Sequence, residues 1–331
     1  MEITLKTKLG MPYNKICATL ALISILLGAS AQNFPNKQIK MIVATTPGGP
    51  SDILARALAQ RMSEKMPAQV VVENRPGANS IIGADAVAKA PPDGYTLLVT
   101  TGTAITINQH LFKKLPYNPA TDLMPVGKLG MSYFVLYAKN GLPFQTAKDF
   151  IAYAKANPGK LSIGINGVAT PPHFTVKNLE FATGTKFNIV QYKGAAPAFN
   201  DLVAGHVDLV LESPSLGLAF IKSGTVKAIA ATGNKRFAAL PDVSTLSEIY
   251  PGLEGLSWFG VMAPVGTPKE IIKKINQEIQ DFVADPATRE KIAALNFVLE
   301  SGAPEQMGEY IKTETTHWGE FLKRTGISVE Q

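Results

Sequence analysis

The chain has 331 residues, 46% hydrophobic and 18% charged, with a formal net charge of +6. That balance describes a globular protein with room for one large or two medium domains, and its 28 Gly and 23 Pro are too dispersed for a collagen-like, low-complexity or disordered chain. A single cysteine, Cys17, excludes a disulfide scaffold, and the one uninterrupted apolar stretch, at the N-terminus, excludes a polytopic membrane protein.

The N-terminus reads as a secretory signal peptide. Lys6, Lys8 and Lys15 form a basic region, Ile16 to Ala29 an apolar run of 14 residues, and Ala29-Ser30-Ala31 a cleavage site. The run is shorter than the roughly 20 residues a membrane span needs. Cys17 opens the apolar run instead of marking the cleavage point, so lipidation is not expected. Residues 1–31 are therefore expected to be removed, leaving a periplasmic chain that begins near Gln32. That remainder carries a charge of about +4, too mild and dispersed to indicate nucleic acid.

From residue 39 onward strands and helices alternate. Ile39 to Ala44 is a short apolar strand. Asp52 to Lys65 is a helix with Leu54, Leu58 and Met62 on one face. Gln69 to Glu73 is a strand, Ser80 to Ala90 a helix, and Tyr95 to Thr101 a strand. A second series follows: helix Thr146 to Ala156, strand Leu161 to Ile165, helix Pro172 to Ala182, strand Phe187 to Tyr192, helix Ala196 to Ala204, then strands Val207 to Leu211 and Val226 to Ala231. Leu256 to Met262 is extended. Thr267-Pro268-Lys269-Glu270 has the pattern of a capping box opening a helix that buries Ile271, Ile272, Ile275, Ile279 and Phe282. A last helix starts near Pro304 and carries Met307, Tyr310, Ile311 and Trp318.

Such alternation with short Gly/Pro-marked loops predicts an α/β fold with parallel sheets covered by helices. The extended stretches Lys128 to Ala138 and Leu256 to Ala263 each follow a completed set of strand–helix units. They are where a chain would cross into a second domain and return. This divides the chain into a discontinuous first domain, 32–133 plus 258–331, and a second domain, 134–257, with a cleft between them.

Three loops each lie after a strand and before a helix: Thr45-Thr46-Pro47-Gly48-Gly49-Pro50-Ser51-Asp52, Asn166-Gly167-Val168-Ala169-Thr170-Pro171-Pro172, and Lys193-Gly194-Ala195-Ala196-Pro197. In a parallel sheet they fall at the carboxyl ends of strands, where open α/β folds bind ligands. Free N–H groups at helix starts, with Gly48 and Gly49 permitting close approach, would cradle an anion without a cation. Each such bond to a charged group is worth roughly 1.5–3 kcal/mol, so three or four could exceed the roughly 8 kcal/mol of micromolar affinity before ordering costs. Taken singly, each loop reads as an ordinary turn. Their recurrence, with hydroxyls at Thr46, Ser51 and Thr170, points to binding.

Signals for catalysis are poor. The chain has no G-x-S-x-G, H-E-x-x-H or P-loop pattern, and no G-x-G-x-x-G follows the first strand. The four histidines, His110, His173, His206 and His317, have no metal-ligand spacing. No cofactor and no metal are expected. His173 could touch a ligand or serve its helix start, while Asp208 and Glu212 flank a strand without the marks of a glycosidase.

Several stretches, in order and spacing, resemble the Bug (Bordetella uptake gene) type of periplasmic solute receptor, associated with tripartite tricarboxylate transporters. They are PGGPSDILAR at 47–56, VVVENRPGA at 70–78, PDGYTLL at 92–98, NPGKL at 157–161, YKGAAPA at 192–198, ALPDVSTLSE at 239–248 and WFGVMAPVGTP at 258–268. The resemblance implies a two-domain periplasmic-binding-protein (flytrap) fold, each domain a mainly parallel sheet flanked by helices, joined by crossing strands. It implies a carboxylate held by Pro47, Gly48, Gly49, Ser51, Asp52 and Thr103 on one side, and Thr45 and Thr46 of the same loop are expected beside them. On the other side it implies Thr170, His173, Gly194, Ala196 and Pro197; Asn166 and Ala169 of the second loop are expected with them, and Glu212 is expected to accept a donor on the ligand or hold a water. Asn74, Arg75 and Pro76 match as structural residues. Thr45, where the family often has an aromatic residue, Pro50, where it has glycine, and Glu212-Ser213, where it has Asp-Asn, depart from its pattern.

The expected function is that of a non-enzymatic, monomeric receptor passing a small carboxylate to the permease subunits of a tripartite tricarboxylate-type transporter. The alternatives are an accessory protein that reports ligand to a membrane kinase and, with less support, a secreted hydrolase or lyase using Asp52, His173 or Glu212.

Overall fold

A computed structural model describes residues 34–326 apart from 294 and 296; the expected leader and cleavage site lie outside the described residues. Two sheets organise the chain. The first runs β11-β4-β10-β3-β1-β2 and the second β7-β6-β8-β5-β9. The first sheet takes β1 (Ile39–Val43), β2 (Val70–Asn74), β3 (Thr96–Thr101) and β4 (Leu123–Tyr133) from the N-terminal part, and β10 (Leu256–Pro264) and β11 (Phe297–Leu299) from the C-terminal part. The second consists of β5 (Val135–Lys139), β6 (Ser162–Ile165), β7 (Asn188–Gln191), β8 (Leu209–Glu212) and β9 (Val226–Ala231).

Both sheets are mixed where mainly parallel ones were expected. β1 pairs in parallel with β2 and β3, and β6 with β7 and β8. The strands at the crossings, β4 and β10 in one sheet and β5 and β9 in the other, pair antiparallel. The reason is connectivity. A helix returns the chain for a parallel neighbour, whereas β4 runs straight on through Phe134 into β5 with no helix to reverse it.

Among the described residues ten α-helices flank the sheets: α1 (Pro50–Lys65), α2 (Ile81–Ala88), α3 (Asn108–Leu111), α4 (Ala147–Ala156), α5 (Pro171–Thr183), α6 (Ala195–Ala204), α7 (Pro214–Lys222), α8 (Lys269–Ala284), α9 (Pro286–Ala293) and α10 (Pro304–Thr325). α1 buries Leu54, Leu58 and Met62 and α8 buries Ile271, Ile272, Ile275, Ile279 and Phe282, the faces that the spacing predicts. These side chains join Met41, Leu97 and Val261 in the core of the first domain. Phe150, Ile163, Val176, Leu209 and Ile229 centre that of the second. The expected capping box of α8 is absent. The helix starts after Pro268, and the Thr267 hydroxyl donates backward to the Pro264 carbonyl at 2.8 Å.

Two features tie the domains together. Thr232, fully buried just after β9, accepts from the Phe134 N–H at 2.8 Å and donates its hydroxyl to the Gly255 carbonyl at 2.5 Å. It thereby clamps both crossing segments at one point. Away from it, Phe174 of α5 packs on Trp318 and Phe321 of α10, with ring centroids 4.9 and 5.8 Å apart. Within the second domain α7 lies so close to β5 that a Cβ on Gly217 would run into the ring of Tyr137, itself fully buried. Gly217→Val is expected to destabilise the protein by about 2–3 kcal/mol, read as a lower urea midpoint at unchanged slope.

Candidate functional site

The carboxyl ends of β1, β2 and β3 face those of β6, β7 and β8 across a cleft of about 810 Å³. Its lining joins the loop after β1, the loop after β2, the start of the segment after β3, and the loops after β6, β7 and β8. Phe134 and Phe259, on the crossing strands, give it an apolar floor. Lys193 and Glu212 are the charged residues of this lining.

Hydroxyls mark the first-domain wall. Ser51, Ser80 and Thr103 line the cleft while only 1%, 8% and 4% exposed. None of the three side chains has a hydrogen-bond partner among the described residues. Ser51 sits in the first turn of α1, where Pro50 has no N–H to lose and the N–H groups of Ser51 and Asp52 have no acceptor within the helix. Thr103 opens a π-helical turn, Thr103–Ile107, directly after the end of β3.

The loop after β2 is the part that sequence reasoning missed. Ala78, Asn79 and Ser80 are consecutive non-glycine residues at φ 46°, 51° and 69°. A left-handed residue costs roughly 1–2 kcal/mol, and such runs persist only where their surroundings hold them. Here Asn108 donates to the Asn79 carbonyl at 2.9 Å, and Ile81 N–H to the Ala78 carbonyl at 3.0 Å. The turn presents residues 76–80 to the cleft. The tolerance of asparagine for left-handed backbone was the available signal, but one residue does not announce a run of three.

Of the expected site residues, Thr45, Thr46, Gly49, Ser51, Thr103, Asn166, Thr170, Gly194 and Glu212 line the cleft. Pro47, Gly48, Asp52, Ala169, His173, Ala196 and Pro197 do not, although each neighbours a residue that does or sits one turn from it. Two of these have structural employment. Asp52, 3% exposed, accepts from Gly48 N–H, Arg56 Nε and Asn74 Nδ2, each at 2.9 Å. Burial pushes its carboxyl up, yet the bonds from Arg56, Gly48 and Asn74 outweigh that and hold it below the ordinary value. The Gly48 N–H is thus spent on Asp52. Gly48 is absent from the cleft lining, and its φ of 77° is what the turn requires of it. His173, 8% exposed, accepts the Ala169 N–H on Nδ1 at 3.0 Å and so holds Ala169 at φ 54°. Burial pulls its imidazole down to about 4, which keeps the ring neutral and able to accept.

The second-domain helices offer fewer donors than their number suggests. Pro171 and Pro172 open α5 without an N–H, and Pro197 removes one from the first turn of α6. Ala195 and Ala196 retain theirs, with Gly194 preceding them at φ 155°. Beside them Glu212 ends β8. It is 2% exposed, and its carboxylate accepts Asn166 Nδ2 and Ser213 N–H, both at 2.7 Å. Burial pushes this carboxyl up to about 7 in spite of these bonds and one from the Ser213 hydroxyl. Arg75, expected to be structural, pairs with Glu73 at 2.6 Å and stays out of the cleft lining.

The family model for the tripartite tricarboxylate transporter family receptor matches residues 54–327. The chain belongs to that family. Among known relatives, protein BugT of Bordetella pertussis is 34% identical to this receptor over 313 residues, 94% of this chain and 96% of BugT. The solved structure of R. palustris Rpa4515 with adipate superposes with a TM-score of 0.85 at 32% identity, covering 89% of the receptor and 99% of that chain. MatC from Rhodopseudomonas palustris with bound malate gives 0.79 at 27% identity, covering 87% and 100%. The receptor therefore has the two-domain architecture of the periplasmic binding proteins that the loop motifs predict.

Proposed function

We propose that the protein is a periplasmic solute-binding receptor that captures a small carboxylate between its two domains for uptake by a tripartite tricarboxylate-type transporter. The observation that carries this reading is the composition of the cleft wall. Hydroxyls of the largely buried Ser51, Ser80 and Thr103, without a hydrogen-bond partner among the described residues, converge with helix-start N–H groups in an 810 Å³ space. Such donors suit a carboxylate and need no metal. The adipate and malate complexes of its relatives support the same ligand class. The first domain would comprise 32–133 and 258–331 and the second 134–257. The carboxylate would rest on Ser51, Thr103, Thr45, Thr46 and Gly49, and on closure Asn166, Thr170 and Gly194 would reach it, while Glu212 would accept a donor elsewhere on the ligand or hold a water. Binding selects the closed arrangement because the ligand then touches both domains. Catalysis has little support, since Asp52 and His173 are bonded into their own loops.

Isothermal calorimetry of the mature chain against mono-, di- and tricarboxylates tests the proposal. At least one acid is expected to bind at micromolar affinity or better. Ser51→Ala should then weaken it by roughly 10- to 100-fold, the value of one bond to a charged group, with an unchanged melting temperature without ligand. Failure of every acid would end the receptor reading. An unchanged affinity in the variant would take Ser51 out of the site.

A further inference from the structure

We propose that Glu212 makes the receptor selective for carboxylates that also carry a hydrogen-bond donor, an ammonium or a hydroxyl group, over plain dicarboxylates of the same length. This inference rests on the receptor reading and deepens it. Glu212 is the acidic residue of the cleft lining, and it stands in the wall opposite the hydroxyls of the first domain. A carboxylate has about four acceptor positions. Asn166 Nδ2 and the Ser213 N–H occupy one on each oxygen and the Ser213 hydroxyl a third, which leaves one acceptor position for a ligand. A ligand anchored by one carboxylate on the first domain would bring its remaining groups toward this side as the cleft closes. A second carboxylate there would meet a like charge in a dry site, which is strongly unfavourable, whereas an ammonium or hydroxyl would complete the bonding of Glu212.

The surroundings of Glu212 leave that task to the ligand. β5 brings Tyr137, whose hydroxyl is buried and has no partner among the described residues, and whose ionisation burial holds far above the ordinary value. α5 brings His173, which is turned onto the Ala169 N–H, and its Lys177, which pairs with Glu180. α6 brings Asp201, bonded at the surface to Tyr192 and His206. The loop after β7 brings Lys193, exposed at the cleft. None of these has a hydrogen bond or ion pair with the Glu212 carboxylate. β6 contributes the neutral amide of Asn166.

The test is calorimetric titration of the mature receptor with matched sets: succinate, malate and aspartate, and their five- and six-carbon counterparts. At about pH 8.5, where the Glu212 carboxyl is ionised, the donor-bearing member of the bound length should bind at least about tenfold tighter than the plain dicarboxylate. Near pH 6 Glu212 gains a proton and can itself donate to a second carboxylate, so the gap should narrow. Glu212→Gln should abolish the discrimination and its pH dependence while still binding at least one acid, and melting without ligand reports whether the variant is folded. A plain dicarboxylate that binds tightest at the higher pH would overturn the inference and leave the receptor reading standing. So would a ranking unchanged in the variant. Failure of every acid with the wild-type protein would overturn both.

Discussion

At pH 8 and without ligand, Glu212→Gln is expected to melt about 5–10 °C above the wild-type receptor. The carboxyl has an ordinary value of 4.5 and is pushed up to about 7 by burial. The native state therefore holds a proton that the unfolded chain has released between those values. Stability from this group is full below about 4.5 and is lost as the pH rises through 7. A displacement of that size corresponds to about 3 kcal/mol. Glutamine keeps the shape and carries no charge. Its amide can accept from Ser213 N–H, and Asn166 can turn its oxygen toward the new donor. Thermal melts from pH 5 to 8 should show the gap closing to about a degree at the acid end. A gap that widens on acidification would contradict the environment described for Glu212. The wild-type residue is thus expected to be a stability cost carried in the cleft lining, the form that functional compromise commonly takes.

The second large effect is expected at Thr232. Replacement by valine preserves volume but leaves the Phe134 N–H and the Gly255 carbonyl, both held by the Thr232 hydroxyl, without it. Each buried group left unpaired costs roughly 1–3 kcal/mol, so a loss of about 2–4 kcal/mol and a melting temperature lower by roughly 5–10 °C should follow. Ligand affinity should fall as well, because Phe134 is part of the cleft floor and its position depends on this clamp. Thr232→Ser, which keeps the hydroxyl, should recover most of the stability. A valine variant as stable as wild type would mean that the crossing segments are held by packing alone.

Much of this architecture is written in local patterns. β1, β3, α1 and α8 were readable because their apolar residues repeat at the period of the element they form. The loops after β1, β6 and β7 were readable because glycine and proline punctuate strand ends. β4 was harder to read, since Pro125, Gly127, Lys128 and Gly130 interrupt an 11-residue strand that pairing with β10 stabilises. α7 hides behind Pro214 and Gly217, a proline that merely starts the helix and a glycine that its packing on Tyr137 requires. In the site, the loops could be located but the side-chain directions could not. Asp52 and His173 lie beside glycine-rich turns and read equally well as ligand contacts or as ties, and long-range bonds made them ties. The left-handed run at residues 78–80 depends on Asn108, 29 residues away from the Asn79 carbonyl it holds, which no local pattern reports.

The packing of Trp318 against Phe174 and Phe321 has an experimental use. Its indole belongs to a helix of the first domain, and one of its neighbours belongs to the second. Any rotation of one domain against the other must slide Phe174 across that indole. Trp258, 2% exposed on β10, sits between the cleft-lining residues Ser257 and Phe259 and reports on the crossing strand itself. The chain thus carries its own optical gauge of domain position, read from emission alone and without an attached dye.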